Sequence, residues 1–246
     1  MADPRFYCST PLTSGQTLEL PSSLAHHVRV RRLEAGSPVV LFDGLGGEIT
    51  GTLSFEDKKT FVVLGQRRPR ETELLGELVV VQGLPAGDKM DWIVEKAVEL
   101  GVSNLLPVSA HRSVLKLSGQ RLEKRLEHWR NIIEAASEQC GRNRLMQIAA
   151  PQSLEQALQA APPSLRLLCS PEAAQTLAER LAVYQKTSPR GQAITLLIGP
   201  EGGWSAEEKA VALTQQAEEV KFGLRVLRTE TAGLALVAAT AALLDW

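Results

Sequence analysis

Short, mostly apolar runs at residues 78–82, 104–108, 165–169, 194–198 and 219–222 have the length of strands, and amphipathic stretches separate them. In the segment 89–100, Met90, Ile93, Val94 and Ala97 fall on one helical stripe, and Gly101 stands where a left-handed terminating residue belongs. The segment 121–139 repeats that pattern through Leu122, Leu126, Trp129, Ile133 and Ala136. A strand covered on both faces needs apolar side chains on both. The alternation therefore predicts an α/β fold built on a mostly parallel sheet with helices on either side.

The first part of the chain follows a different pattern. Runs at 39–42, 47–53 and 60–64 are short and β-rich, and Asp43-Gly44 and the polar residues 56–59 separate them with turn chemistry. These features predict a small antiparallel barrel. Residues 66–73 offer almost no apolar area to bury and read as a linker, so the predicted division is a small domain over 1–70 and a larger one over 71–246. At the other end, residues 232–244 are apolar on nearly every side of a helix. Such a helix should be buried all round, and its alanines permit close approach by another helix, including one from a second subunit.

Composition narrows the function classes. A chain of 246 residues with 44% hydrophobic content has material for a real core, while a net charge of -1 gives no global sign of polyanion binding. Any nucleic acid is then held by local basic patches rather than by the field of the whole protein. Three cysteines, at 8, 140 and 169, show neither CxxC nor Cys/His ligand spacing, which argues against a disulfide scaffold and against a structural metal. An acid among the first five residues, and no apolar run of spanning length, lead to the expectation of a cytoplasmic protein without a membrane segment.

Two polar, glycine-bearing turns carry the candidate chemistry. The first, Gly199-Pro200-Glu201-Gly202-Gly203, follows an uncharged strand and precedes Ser205 and Glu208, which have the spacing of a capping box. Glycines let a backbone come close to a ligand, and the amides of a helix start lack internal partners. Neither GxGxxG nor GxxxxGK is present, which lowers the case for a dinucleotide or ATP. The second turn holds Arg225 and Arg228, then Glu230 between Thr229 and Thr231, directly before the apolar terminal helix. Basic clusters lie elsewhere: His26, Arg29, Arg31 and Arg32 with Arg5 in the small domain, and His111, Arg112, Arg142 and Arg144 beyond it. Such forks and point charges suit phosphates, and Phe6 and Tyr7 are candidates for stacking on bases.

At residues 91–101, 111–113, 138–142, 198–204 and 224–232 the chain resembles the bacterial small-subunit ribosomal RNA uridine N3-methyltransferases of the trefoil-knotted SPOUT superfamily. The likeness extends to Arg5-Phe6-Tyr7 and to 26–32, which resemble part of a PUA-like domain. It implies transfer of a methyl group from S-adenosylmethionine to N3 of one uridine in the decoding region of 16S rRNA, on the assembled small subunit. It further implies a homodimer and a C-terminal knot, whereas general topology rules lead to a plain doubly wound sheet. By resemblance, three walls surround the cofactor: Cys169, Ser170 and Pro171; Leu197, Ile198, Gly199, Pro200, Glu201, Gly202 and Gly203; and Leu224, Val226, Leu227 and Arg228, with Thr231 and Ala232.

The chemistry assigns roles. N3 of uridine sits between two carbonyls and is a poor nucleophile until its proton leaves, after which charge spreads onto O2 and O4. Arg228 and Arg112 are candidates to stabilise that anion, and Glu201 and Glu230 are candidates to accept the proton or to orient the loops. Arg5, His26, Arg29, Arg31, Arg32, Arg112, Arg142 and Arg144 are candidate RNA contacts, and no metal is required. Two other readings stay open. One is a non-catalytic module for structured RNA or ribosome assembly, and the other is a related methyltransferase acting on a ribose 2'-hydroxyl.

Overall fold

The computed structural model describes residues 3–246. The reading of the extreme N-terminus rests in part on residues 1 and 2, outside the described residues. Two compact units divide the chain: residues up to Glu73 with Glu134–Leu145, and Leu74–Ile133 with Met146–Trp246.

In the first unit, β1 (Arg5–Tyr7), β2 (Thr17–Glu19), helix α1 (Ser22–Val30), β3 (Pro38–Phe42), β4 (Glu48–Glu56) and β5 (Lys59–Arg68) build a five-stranded sheet ordered β1-β3-β4-β5-β2. The two hairpins read from the turn residues are present, β3 with β4 and β4 with β5. The expectation of a wholly antiparallel barrel is corrected, because β1 runs parallel to β3 and the sheet is mixed. Parallel pairing needs a long crossover, and the intervening β2 and α1 supply it. Phe6, Cys8, Val28, Leu41, Ile49, Leu53 and Val62 form the apolar core beneath.

A polar network is sealed into this unit. Arg5 Nη1 donates to Glu48 Oε2 at 2.6 Å and Nη2 donates to Asn143 Oδ1 at 2.6 Å. The side chains of Arg5 and Glu48 are only 12% and 6% exposed. Burial alone would raise the pKa of Glu48, but the hydrogen bond and charge of Arg5, helped by Asn143 and Arg70, hold it below the usual carboxylate value. The predicted linker is also corrected. Residues 66–68 continue β5, Glu73 accepts from Arg142 Nε at 3.0 Å, and Glu71 accepts from Gly47 N at 3.0 Å. A segment without apolar side chains is thus held by charged partners. Asn143 Nδ2 donates to the carbonyl of Arg70 at 2.7 Å, and contacts of this kind draw 134–145 into a unit that the sequence division placed beyond residue 70.

The chain continues with β6 (Leu78–Gly83), α2 (Lys89–Glu99), β7 (Asn104–Val108), α3 (Gly119–Cys140), β8 (Gln147–Ile148), α4 (Leu154–Ala160), β9 (Leu165–Cys169), α5 (Leu177–Thr187), β10 (Ile194–Ile198), α6 (Ala206–Thr214), β11 (Ala217–Val220) and α7 (Thr229–Leu244), all in the second unit except the last turns of α3 from Glu134. The sheet of the second unit is ordered β11-β9-β10-β6-β7-β8, with every pairing parallel. Helices cover both faces as predicted: α4 and α6 lie together on one, and α7 packs against α2, α5, β6 and β10 on the other. Gly101 closes α2 at φ 85°. The last strand begins two residues earlier than its predicted bound, because Ala217 enters the core while Phe222 turns outward. Burial of α7 on every side is not achieved within one chain, since Ala238, Ala242 and Leu243 stay exposed. Among the described residues no helix is long and apolar enough to cross a membrane.

Candidate functional site

Strand order in the second unit reverses beside β6. From there β7 and β8 extend one way, and β10, β9 and β11 the other. Connections leaving such a switch point on opposite faces open a crevice at the carboxyl ends of the strands. A cavity of about 340 Å³ lies there, within the size range of small-molecule sites. The end of β9 and the loop after it contribute Cys169, Ser170, Pro171 and Glu172, the end of β10 and the loop after it contribute Ile198 and residues 199–204, and the loop after β11 contributes Phe222, Gly223, Arg225, Val226 and Leu227. Thr229 and Ala232 from the start of α7, together with Arg112 and Lys209, complete the lining.

Close backbone approach shapes this crevice. A Cβ on Gly83 would stand 2.6 Å from Pro200 N, so the loop after β10 lies directly on the end of β6. A buried polar relay joins the same strand ends to α7. Gln82 Nε2 donates to Thr229 Oγ1 at 2.9 Å, and the Thr229 hydroxyl donates onward to the carbonyl of Gly199 at 2.6 Å. Gln82 and Thr229 are buried and Gly199 is half-buried, so these hydrogen bonds fix position as well as satisfying polar groups. Gly233 permits the approach, because Gln82 Oε1 lies 3.2 Å from where its Cβ would be.

Charges fix the loops from outside. Glu201 accepts from Lys89 Nζ at 2.7 Å and from Ala86 N at 3.1 Å. Burial works against ionisation of Glu201, but the Lys89 hydrogen bond, backbone amides and the Lys89 charge together keep its pKa below the usual carboxylate value. Lys89 Nζ also lies 3.6 Å from Glu230 Oε2, so both carboxylates considered as proton acceptors face one ammonium. Arg112 Nη1 donates to the carbonyl of Gly202 at 2.8 Å. The capping box is formed: Glu208 N donates to Ser205 Oγ at 3.2 Å and Ser205 N to Glu208 Oε2 at 2.8 Å. Glu208 Oε1 additionally accepts from His111 N at 2.9 Å, which anchors the segment carrying Arg112. Burial pushes the Cys169 thiol up to about 11, so it stays protonated and weakly nucleophilic at neutral pH.

Of the residues predicted for the site, Arg112, Cys169, Ser170, Pro171, Ile198, Gly199, Pro200, Glu201, Gly202, Gly203, Val226, Leu227 and Ala232 line one cavity. Others are placed elsewhere. Leu197 faces the core on the α4 and α6 side, because alternate residues of a strand point to opposite faces and Ile198 takes the α7 side. Leu224 is 95% exposed, and Arg228 and Thr231 are exposed at the start of α7 outside the lining. Glu230 is turned to Lys89. Sequence reasoning placed Arg225 in the second turn without giving it a role, and missed Gln82, Lys89 and Thr229 as site residues. The signal available for Gln82 was a lone polar residue in an apolar strand, whereas Lys89 offered only a place at a helix start.

The predicted RNA contacts divide similarly. His26, Arg29, Arg31 and Arg32 are exposed at and just after α1, although Arg29 is partly held by the carbonyl of Lys58. The Arg31 guanidinium stacks over Phe6 at 5.3 Å. Arg144 is exposed, with Glu71 at 3.4 Å. Arg5 and Arg142 are corrected: both guanidinium groups are buried in pairs with Glu48 and Glu73, and neither is offered to a phosphate. Phe6 is likewise fully buried and unavailable for stacking on a base. Among the described residues, no group of three or more His, Cys, Asp or Glu side chains is arranged to hold a metal.

Comparison with known proteins gives two family matches. A family described as an RNA methyltransferase domain matches residues 71–241, and one described as an RNA methyltransferase PUA domain matches residues 20–64. Ribosomal RNA small subunit methyltransferase E of Bacillus subtilis is 31% identical over 89% of this chain and 87% of its own. The protein of the same name from Synechocystis is 32% identical over 93% of this chain and 74% of its own. Among solved structures, the methyltransferase E of Neisseria gonorrhoeae bound to S-adenosyl methionine superposes with a TM-score of 0.87 at 32% identity, covering 98% of both chains. A putative methyltransferase from Legionella pneumophila in complex with the same cofactor gives 0.89 at 31%, again covering 98% of both chains.

Proposed function

We propose that this chain, which belongs to the RNA methyltransferase family, methylates N3 of one uridine in the decoding region of 16S rRNA within the assembled small ribosomal subunit. Family membership and close likeness to cofactor-bound relatives make it an S-adenosylmethionine-dependent ribosomal RNA methyltransferase. The observation that carries the reading is the cavity at the strand-order switch, lined by the loops after β9, β10 and β11.

The residues present fit S-adenosylmethionine. Strand ends and glycine turns offer backbone amides and carbonyls suited to an adenine edge, while Ile198, Pro200, Val226 and Leu227 supply apolar surface for its faces. When bound, the cofactor supplies an electrophilic methyl group. What the chain contributes is position and field. The imide nitrogen needs its proton removed, and Glu201 is poorly suited to take it because Lys89 and backbone amides already stabilise its charge. We assign Arg112 and Arg225, the arginines of the cavity lining, to the oxygens on which the uridine anion's charge collects. That moves the electrostatic role of Arg228 to Arg225 in the same loop. Cys169, kept as a thiol, does not compete for the methyl group.

Residues 1–70 are assigned to a PUA-like RNA-binding domain, whose exposed His26, Arg29, Arg31 and Arg32 suit phosphates, with Arg144 as a further contact. Residues 71–246 form the SPOUT methyltransferase domain in this reading, with a trefoil knot at its C-terminus. A cytoplasmic homodimer completes it, supported by Leu224, Val226 and Leu243, which remain exposed on and beside α7.

The test is methyl incorporation from labelled S-adenosylmethionine into small subunits and into naked rRNA, followed by mapping of the modified atom. The expected product is one 3-methyluridine in the small subunit. A methyl group on a ribose 2'-hydroxyl, or incorporation into neither substrate, would overturn the assignment.

A further inference from the structure

Lys89 is the first residue of α2 and does not line the cavity, yet its ammonium is the common partner of carboxylates from two different walls. Glu201 belongs to the loop after β10 and lies 2.7 Å from Nζ. Glu230 belongs to the first turn of α7, immediately after the loop that follows β11, and lies 3.6 Å from the same atom. A third element joins them, because Ala86 N, in the loop between β6 and α2, donates to Glu201 at 3.1 Å. Three chain segments far apart in sequence therefore meet at one positive charge.

The carboxylates do not otherwise stabilise each other. With the ammonium present each is attracted to the same centre, and without it two like charges are left side by side at a partly exposed site and repel. Glu230 depends on this partner strongly: its Oε2 is buried and has no hydrogen-bond partner among the described residues. Neighbouring charges of α2 are engaged elsewhere, Lys96 by Glu95 and Glu99 and Asp91 by Arg125 and His128. Lys89 is thus the cation positioned to hold the loops after β10 and β11 at their observed separation.

We propose that Lys89 is a positioning residue, a clasp whose single charge holds the two cofactor walls together and so sets the affinity for S-adenosylmethionine. The proposal rests on the reading of the cavity as the cofactor site. It differs from a general stabilising role because it predicts dependence on charge balance: the wall spacing should respond to the sum of charges at this point, and not to the presence of a lysine as such.

Calorimetric titration of S-adenosylmethionine into the full-length protein, with thermal unfolding and steady-state kinetics alongside, tests the idea. Lys89→Met should weaken binding about threefold, the size expected for a partly exposed charge cluster. Lys89→Arg should restore most of the loss, and Lys89→Met combined with Glu230→Gln should restore part of it by removing one of the repelling charges. The KM for the cofactor should rise in Lys89→Met while kcat at saturation changes little, and Lys96→Met on the same helix should bind normally. Wild-type affinity in Lys89→Met overturns the clasp, as does an equal loss in all three Lys89 variants, which would mark simple structural damage. A wild-type chain that takes up no S-adenosylmethionine overturns instead the reading on which the clasp rests, and the clasp with it.

Discussion

Two charged networks, one in each unit, show how burial decides what a charge does. Arg5 and Glu48 are 12% and 6% exposed and are closed over by the first unit. Lys89 and Glu201 are 34% and 37% exposed at the edge of a cavity. The first pair has little water to return to if broken, so it acts as a rivet. The second is partly screened and joins loops rather than core elements, so its energy is small and its geometry matters more. Similar residues at similar distances therefore take opposite roles, stability in one unit and arrangement of a site in the other.

The strongest way to break this comparison is Arg5→Ala. It leaves Glu48 as a buried charge without its main partner and should cost about 3 kcal/mol in chemical denaturation. Arg5→Met with Glu48→Leu should recover most of that loss, since replacing a buried pair by apolar groups is often nearly neutral. RNA affinity measured well below the unfolding range should hardly change in the double variant. A large specific loss of RNA binding there would return Arg5 to the RNA contacts.

Next in size is Thr229→Val in the second unit. The hydroxyl both accepts from Gln82 and donates to the carbonyl of Gly199, so its removal leaves buried Gln82 with only the Gly83 carbonyl and the half-buried Gly199 carbonyl without this partner, and should cost about 2 kcal/mol of stability. Cofactor affinity should fall with it, because the same relay fixes the loop after β10. Unchanged affinity at reduced stability would separate the relay from the site. Ser205→Ala follows at about 1 kcal/mol, the usual cost of an N-cap, measured as a shift in the unfolding midpoint. It should leave the spacing of Glu201 and Glu230 untouched and cofactor binding close to wild type.

How much of this was legible in the chain depends on range. Strands at 104–108, 165–169 and 194–198 have their predicted bounds because a run of apolar residues is local information. The Ser205 and Glu208 cap was legible for the same reason. The parallel pairing of β1 with β3 was not, since direction is set by a crossover whose path no local pattern encodes. Lys89 reads as an ordinary surface residue at a helix start, and its partner Glu201 lies 112 positions away. Arg5 and Arg142 have the chemistry of phosphate contacts, and only burial against Glu48 and Glu73 removes them from that role. Glycine turns indicated where a ligand fits, but not which side chains turn toward it: Leu197 at the end of β10 and Leu224 in the loop after β11 miss the cavity in opposite directions, inward and outward.

Acid titration gives the smallest effect and separates the two networks by shape. In the first unit the carboxyls pull opposite ways. Burial raises the pKa of Glu134 and Glu138 above the ordinary 4.5, with Glu138 also drawn down by the Tyr7 amide, so their ionised forms are a native-state penalty at neutral pH. That penalty is relieved as pH falls through the raised values. Glu48 is shifted downward, so its stabilisation is complete above 4.5 and is lost only as pH falls below it toward the folded value. Stability of the first unit should therefore rise slightly on mild acidification and then drop. Glu201, also held below 4.5, has only the second kind of dependence, so cofactor binding should stay level on mild acidification and weaken only under stronger acid. Unfolding midpoints and cofactor titrations across the same pH series check both curves, and a stability that falls steadily from neutral pH would remove Glu134 and Glu138 from the account.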